Sequence, residues 1–441
     1  MVKLSDSSSG ITHTRADRSR TERVLHTILV ALLPTAALLA LAASFVWWSQ
    51  AAHAFFGRRN PSDAIDFVVF YSSAKLVATG HAYQVYDLHA LAPIQRAAHP
   101  GVPGAALPIP YLNPPFFALL VAPLGYLSFG HAYQVWTGMK LTLLLLDAWM
   151  IWRIATPAGR HYQIVAVAFF VTLEPVAFSV TLGQFSLILT TSWTAAYLFF
   201  REGRDRAGAI ALAPLLIKPE LLVPVAVLLA WKRRTLALVH LCGFAAAAML
   251  ASIALIGIHS VIDYPRFVLT ISAQGGTGIN RQLMFGWNGI LASFLQGRHE
   301  VLSHHMHQAL TLGTVAAVWY AWRGPWRNDD RRFTAQWMLL TLATVLVDPH
   351  FYIQDISLVF PVGIAVAVER KDLARSIAMA TLGLGWAVLA LGLIPMRDWH
   401  LNVFGVVMAL AFVALTIEAG HTLRAHATVA TPETDSRAIA A

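Results

Sequence analysis

From Val24 to Trp48 the chain runs for 25 residues without an Asp, Glu, Lys or Arg. A helix of that length crosses the hydrocarbon core of a bilayer with some tilt. It is too long for the apolar part of a signal peptide, and no small-residue cleavage site follows it. A retained first membrane helix is therefore expected. Further apolar runs fill the chain from Pro115 to Ile417, separated by short polar joints. Only 12% of the 441 residues are charged and 57% are hydrophobic, whereas an ordinary soluble domain carries about 25% charged residues. In lipid the backbone must satisfy its own polar groups, which helices do within one segment. The expected fold is all-α, a polytopic bundle of about ten to thirteen membrane helices, some broken or short.

The few charges are informative by position. The formal net charge is +9, and the surplus is concentrated in clusters: Arg15 to Arg23, Arg201 to Arg206, Lys232 to Arg234, Arg323 to Arg332 and Arg370 to Arg375. Lysine and arginine retained on the cytoplasmic side of a membrane produce this pattern. Nucleic acid is not needed to explain it. The reading is a multi-pass protein of the cytoplasmic membrane with a disordered cytoplasmic N-terminus (1–23), one membrane domain (24–423) and a disordered cytoplasmic tail (424–441). The loops at 49–112, Gly257–Gly286, Asp348–Tyr352 and Pro395–His400 then fall outside. The single Cys242 excludes an intrachain disulfide.

Two features break the regular alternation of spans. The loop 49–112 is far longer than a helix hairpin needs, and its aromatic and branched residues predict short interfacial helices rather than disorder. The run Ala207–Trp231 lies between two basic clusters that both belong inside, yet it is too short for two full spans. Proline removes a helical hydrogen bond, so Lys218-Pro219-Glu220 predicts two half-length helices meeting at Lys218. Non-helical backbone at that depth requires a protein or polar-cavity lining. A second interruption falls at Pro175 and Gly183.

These residues resemble a known family. Asp66-Phe67 with Tyr71, Ala74, Gly80 and Tyr86-Asp87 is similar to the opening signature of glycosyltransferase family 87, within the GT-C superfamily of membrane enzymes. Tyr111-Leu112-Asn113-Pro114-Pro115-Phe116, Gly183-Gln184-Phe185-Ser186, Ile217-Lys218-Pro219 and Asp348-Pro349-His350-Phe351-Tyr352 through Asp355 follow in that family's order. Leu112-Asn113 departs from it where another proline is common. The resemblance implies a polyprenyl-phosphate sugar donor, a lipid or glycan acceptor, and an aspartate base at the position of Asp66.

Transfer of a sugar from a lipid phosphate needs a base for the acceptor hydroxyl and cationic help for the departing phosphate. Asp66 is the candidate base; its structural alternative is a helix N-cap. Lys218, His350 and Lys75 are the candidates for the donor phosphate, Arg58 and Arg59 being weaker ones. A lysine at membrane depth costs roughly 2.5–3.5 kcal/mol and should have a partner or a job; the bland readings are a pair with Glu220 or a snorkelled position near an interface. Tyr71, Tyr111, Gln184 and Asp348 are expected to line the groove for carrier or acceptor. His304, His305 and His307 do not share one helix face and have no carboxylate nearby, so no metal and no cofactor are expected. Lys140 and Asp147 read as internal polar packing. The alternative functions are a secondary transporter, whose matched halves are not visible, and a non-catalytic lipid-binding protein.

Overall fold

The computed structural model describes residues 38–53, 55–57, 65–98, 108–274, 280–295, 299–328, 331–390, 396 and 400–429. The expected disordered N-terminus, Arg58 and Arg59 lie outside them. The described residues form helices and no strand, an all-α bundle as expected. In chain order the helices are α1 (38–53), α2 (Phe67–Ala78), α3 (Leu88–Ala98), α4 (Pro115–Val121), α5 (Phe129–Ala155), α6 (Arg160–Val171), α7 (Glu174–Leu182), α8 (Ser186–Arg201) and α9 (Asp205–Leu212). There follow α10 (Pro219–Trp231), α11 (Thr235–Ile256), α12 (Ile258–Gln274), α13 (Trp287–Leu295), α14 (Glu300–Ala321), α15 (Arg331–Val347), α16 (Val359–Glu369), α17 (Leu373–Leu389) and α18 (Val403–Val429). The last of these continues as helix into the stretch expected to be a disordered tail.

Three of these segments are long and apolar enough to cross a membrane unaided: Phe129–Ala158, Thr235–Ile256 and Val403–His421. The pair α6 and α7, bent by 43° just before Pro175, makes a fourth if counted as one span. The other apolar runs are cut into shorter helices of 10–17 residues, among them α2, α10 and α17. Helix α11 shows how such a bundle meets lipid: Leu236, Val239 and Leu250 remain exposed, which a protein surrounded by water would not maintain in one stripe.

The expected break at Lys218 is present. Helix α9 passes into a 3₁₀ turn over Ala213–Ile217, and α10 starts at Pro219, where a missing N–H costs nothing. The predicted interfacial helices of the first loop are α2 and α3. The segment Gly257–Gly286 differs from its reading as a plain loop, because Ile258–Gln274 is helical.

Four helices span the distance between two chemically distinct ends. Helix α8 starts at Ser186, bonded to Asp355, and ends at Arg201, ion-paired with Glu369 at the end of α16. Helix α10 starts beside Lys218 and ends before Lys232, which donates to the carbonyls of Trp322 and Gly324. Helix α15 runs 17 residues from Arg331 to Val347, just before Asp348, a length of about 25 Å. The clusters at Arg201–Arg206, Lys232–Arg234, Arg323–Arg332 and Arg370 therefore share one end. Asp66, Lys218 and His350 share the other.

Candidate active site

The end of the bundle remote from the arginines encloses a cavity of about 500 Å³. Asp66, Gln184, Lys218, Glu220, His350 and Asp355 supply its polar wall, and Val69, Phe70, Leu182, Phe185 and Val268 are among its apolar residues. These come from α2, the α7–α8 turn, the α9–α10 break, α12 and the segment after α15.

Asp66 occupies the N-cap position of α2, yet its side chain makes no capping bond. The carboxylate instead accepts a hydrogen bond from the Gln184 side chain. The residue is half-buried and opens on the cavity. Burial raises its pKa from 3.8 to about 6; the Gln184 bond and Lys140 act against this, and Asp355 adds to it. A carboxyl that titrates near neutrality suits a general base.

The segment Gly183-Gln184-Phe185-Ser186 explains that geometry. Gly183 closes α7 in the left-handed region at φ +80°, and a Cβ there would sit 2.4 Å from Phe67 Cβ. Glycine alone satisfies both demands. The turn therefore lies against the residue that follows Asp66, and Gln184 reaches the base. Ser186 then donates to Asp355 Oδ1 at 2.5 Å. One face of α5 holds the turn in place: Tyr133 donates to Val180 and Thr181, Trp136 to Gly183 (2.7 Å), and Lys140 to Ser179 and Val180. The fully buried Lys140 thus caps the orphan carbonyls of α7, which is the polar packing expected of it.

Lys218 does not pair with Glu220 as one bland reading required. Its ammonium donates to Asp355 Oδ2 (2.8 Å) and to the His350 carbonyl (3.0 Å), and lies 2.9 Å from Asp348 Oδ2. An ammonium has three N–H groups; two donate to oxygens, and Asp348 Oδ2 sits beside the ammonium as an ion pair without a hydrogen bond. The carbonyl of Ile217, freed by the break, accepts from Asn113 Nδ2 at 3.2 Å. Asn113 therefore does work that a proline at that place could not. Asp348 Oδ1 accepts the His350 backbone N–H at 2.7 Å, which fixes the turn that presents the imidazole to the cavity. Burial, the largest effect on that ring, pulls its pKa below the usual 6.5.

Of the expected site residues, Asp66, Gln184, Lys218 and His350 meet on one cavity, with Asp348 directly behind Lys218. Three do not line it. Lys75 donates to the Gly125 carbonyl, Tyr71 to Leu127, and the fully buried Tyr111 to Pro114. All three hold the first loop against the segment around α4, so they position structure rather than touch a ligand. Glu220, Ser186, Tyr352 and Asp355 stood in the sequence only as neighbours of the candidate residues, and Tyr264 not at all. Asp355 was visible only as the end of a motif, and Tyr264 sits on a helix that read as loop. The ligand atoms of Glu220, Asp348 and His350 lie within 4.8 Å of one another. A divalent cation fits that donor set, in competition with Lys218 for Asp348.

The model of glycosyltransferase family 87 matches residues 111–349, a stretch holding Gln184, Lys218 and Asp348 but starting after Asp66. No curated protein and no solved structure matches the chain.

Proposed function

Given that the chain belongs to glycosyltransferase family 87, we propose that it moves a hexose from a polyprenyl-phosphate donor to a hydroxyl of a lipid or glycan acceptor. The apolar helices and the family mark it as a membrane glycosyltransferase with a sugar donor and a sugar acceptor. The observation that carries the finer reading is the convergence of Asp66, Gln184, Lys218 and His350 on one cavity with an extensive apolar lining. An apolar wall suits a prenyl chain, and the polar wall suits its phosphate and sugar.

In the proposed step the acceptor hydroxyl gives its proton to Asp66 as its oxygen bonds the anomeric carbon. The bond from that carbon to the phosphate oxygen breaks, and polyprenyl phosphate leaves carrying the electron pair. Attack opposite the leaving group inverts the anomeric centre. Gln184 orients the base; Lys218 and the His350 ring meet the charge that develops on the phosphate. The positive-inside rule puts the arginine-rich end in the cytoplasm, so the cavity faces the extracytoplasmic side of the cytoplasmic membrane.

The test is turnover of labelled polyprenyl-phosphate sugars, mannose first, by purified protein and by Asp66→Asn. Wild type transfers the label and the variant loses at least about a hundredfold. Equal rates remove Asp66 from the role of base. No transfer from any carrier returns the protein to the transporter or lipid-binding class.

A further inference from the structure

The second cavity lies at the opposite end of the molecule, where the chemistry proposed above has no use for it. It has a volume of about 240 Å³ and is lined by Arg323, Arg327, Arg332 and Arg370, with Glu418 the single carboxylate on its wall. Arg370 is buried and committed, pairing with Asp372 and with Glu418 at 3.0 Å. Arg323 lies over the Tyr320 ring, 3.8 Å from its centroid. Among the described residues no carboxylate pairs with Arg323 or Arg327. Arg323 and Arg327 thus bring positive charge to the wall that no carboxylate among the described residues pairs with. A guanidinium matches phosphate oxygens with two parallel hydrogen bonds.

The surroundings distinguish a lipid from a soluble anion. Leu339, Leu415 and Ala419 give the cavity an apolar floor. Helices α14 and α18 flank it and meet closely, since a Cβ on Gly420 would lie 3.0 Å from the Tyr320 hydroxyl. On their outer faces Leu312, Val315 and Trp319 of α14, and Leu410, Val413 and Ile417 of α18, are exposed. Acyl chains lying along those faces bring a headgroup phosphate to the level of the arginines, and a tryptophan at that level suits the boundary between headgroups and chains.

We propose that this cavity is a binding site for one anionic phospholipid, its phosphate held by Arg323 and Arg327 and its chains on α14 and α18. Basic pockets between membrane helices bind anionic headgroups by this combination of charge and depth. The site is independent of the transfer reaction and is read by binding alone.

The experiment uses delipidated full-length protein in detergent, with retention of dioleoyl phosphatidylglycerol and dioleoyl phosphatidylcholine measured by native mass spectrometry, and inorganic phosphate as a third ligand. Wild type retains the anionic lipid, and Arg323→Gln/Arg327→Gln binds it about thirtyfold more weakly, to the level of the zwitterionic lipid. Both arginines are exposed, and an unchanged melting temperature without lipid confirms that the variant is folded. Arg204→Gln/Arg206→Gln removes the same charge from the same end outside the cavity and leaves retention unchanged. Equal retention of the two lipids by wild type, or equal losses in both double variants, overturns the site. Arginine-dependent binding of phosphate without preference for the anionic lipid also overturns it, in favour of a soluble anion.

Discussion

Replacing Asp66 by asparagine separates what the residue costs from what it does. The substitution keeps the shape and removes the charge. In the folded protein burial lifts this carboxyl from 3.8 to about 6, which makes its ionised form about 3 kcal/mol less favourable than in the unfolded chain. The folded protein therefore holds the proton to higher pH. Its contribution to stability is fully present below about pH 4 and is lost as pH rises through 6. Asp66→Asn should match wild type at pH 4 and exceed it by up to about 3 kcal/mol at pH 7, seen as a rise in melting temperature in detergent that grows with pH. Over the same range turnover by wild type should climb. About one carboxyl in ten is ionised at pH 5 and nine in ten at pH 7 if the value is near 6, so the rate rises roughly tenfold and then levels. The asparagine variant should be slower by about 10²–10⁴ at every pH. A stability gain with lost turnover is the signature of a strained functional carboxylate. Wild-type rates flat from pH 5 to 7, or a variant less stable than wild type at pH 7, would refute the reasoning.

The other expectations concern the parts that hold this base and the phosphate. Gln184→Met deletes the bond that lowers the Asp66 pKa, so the rise of rate with pH moves above 6 while the melting temperature changes little. Gly183→Ala forces a left-handed alanine against Phe67; it should cost about 2–5 kcal/mol and shift the pH profile in the same direction, because Gln184 is carried away from the base. Lys218→Met leaves Asp348 and Asp355 buried beside each other without their cation, at about 3–5 kcal/mol. Adding Asp348→Asn and Asp355→Asn should restore the melting temperature and not the turnover, and recovery of both would reduce Lys218 to a structural role. Chelation with EDTA should leave transfer unchanged if Lys218 and His350 carry the phosphate charge; a loss restored by Mn²⁺ would assign that task to a cation held by Glu220, Asp348 and His350.

Much of the fold was legible because lipid restricts the choices. In lipid, apolar runs as long as these satisfy their backbone polar groups within helices, and the position of each basic cluster then orders them. The break at Lys218 was legible for a local reason, the proline that follows it. Helix α12 was not. Its residues Ile258 to Gln274 mix charged and apolar side chains in a segment between two spans, and no local rule separates such a helix from a structured loop. The length of the spans was also misleading: apolar runs such as Ile353–Val368 divide into a 3₁₀ turn and a helix, α16, because Asp355 must reach Lys218 and Ser186.

For the site, Lys218 stood out as a charge where charge is expensive, whereas Asp66, Gln184 and His350 were legible chiefly through the motifs that resemble the family. Sequence position alone also predicted that the basic clusters belong together, and they share one end of the bundle. Only the tertiary structure decided which groups meet. It turned the Asp66 side chain from capping α2 to Gln184, gave Lys218 to Asp348 and Asp355 in place of the neighbouring Glu220, and withdrew Lys75, Tyr71 and Tyr111 to backbone carbonyls. The physical reason is that a charge or hydroxyl excluded from water must find a partner, but the partner that wins is set by close packing between segments far apart in the chain. Gly183 against Phe67 and Asn113 against Ile217 are contacts of that kind, and no spacing along the sequence encodes them.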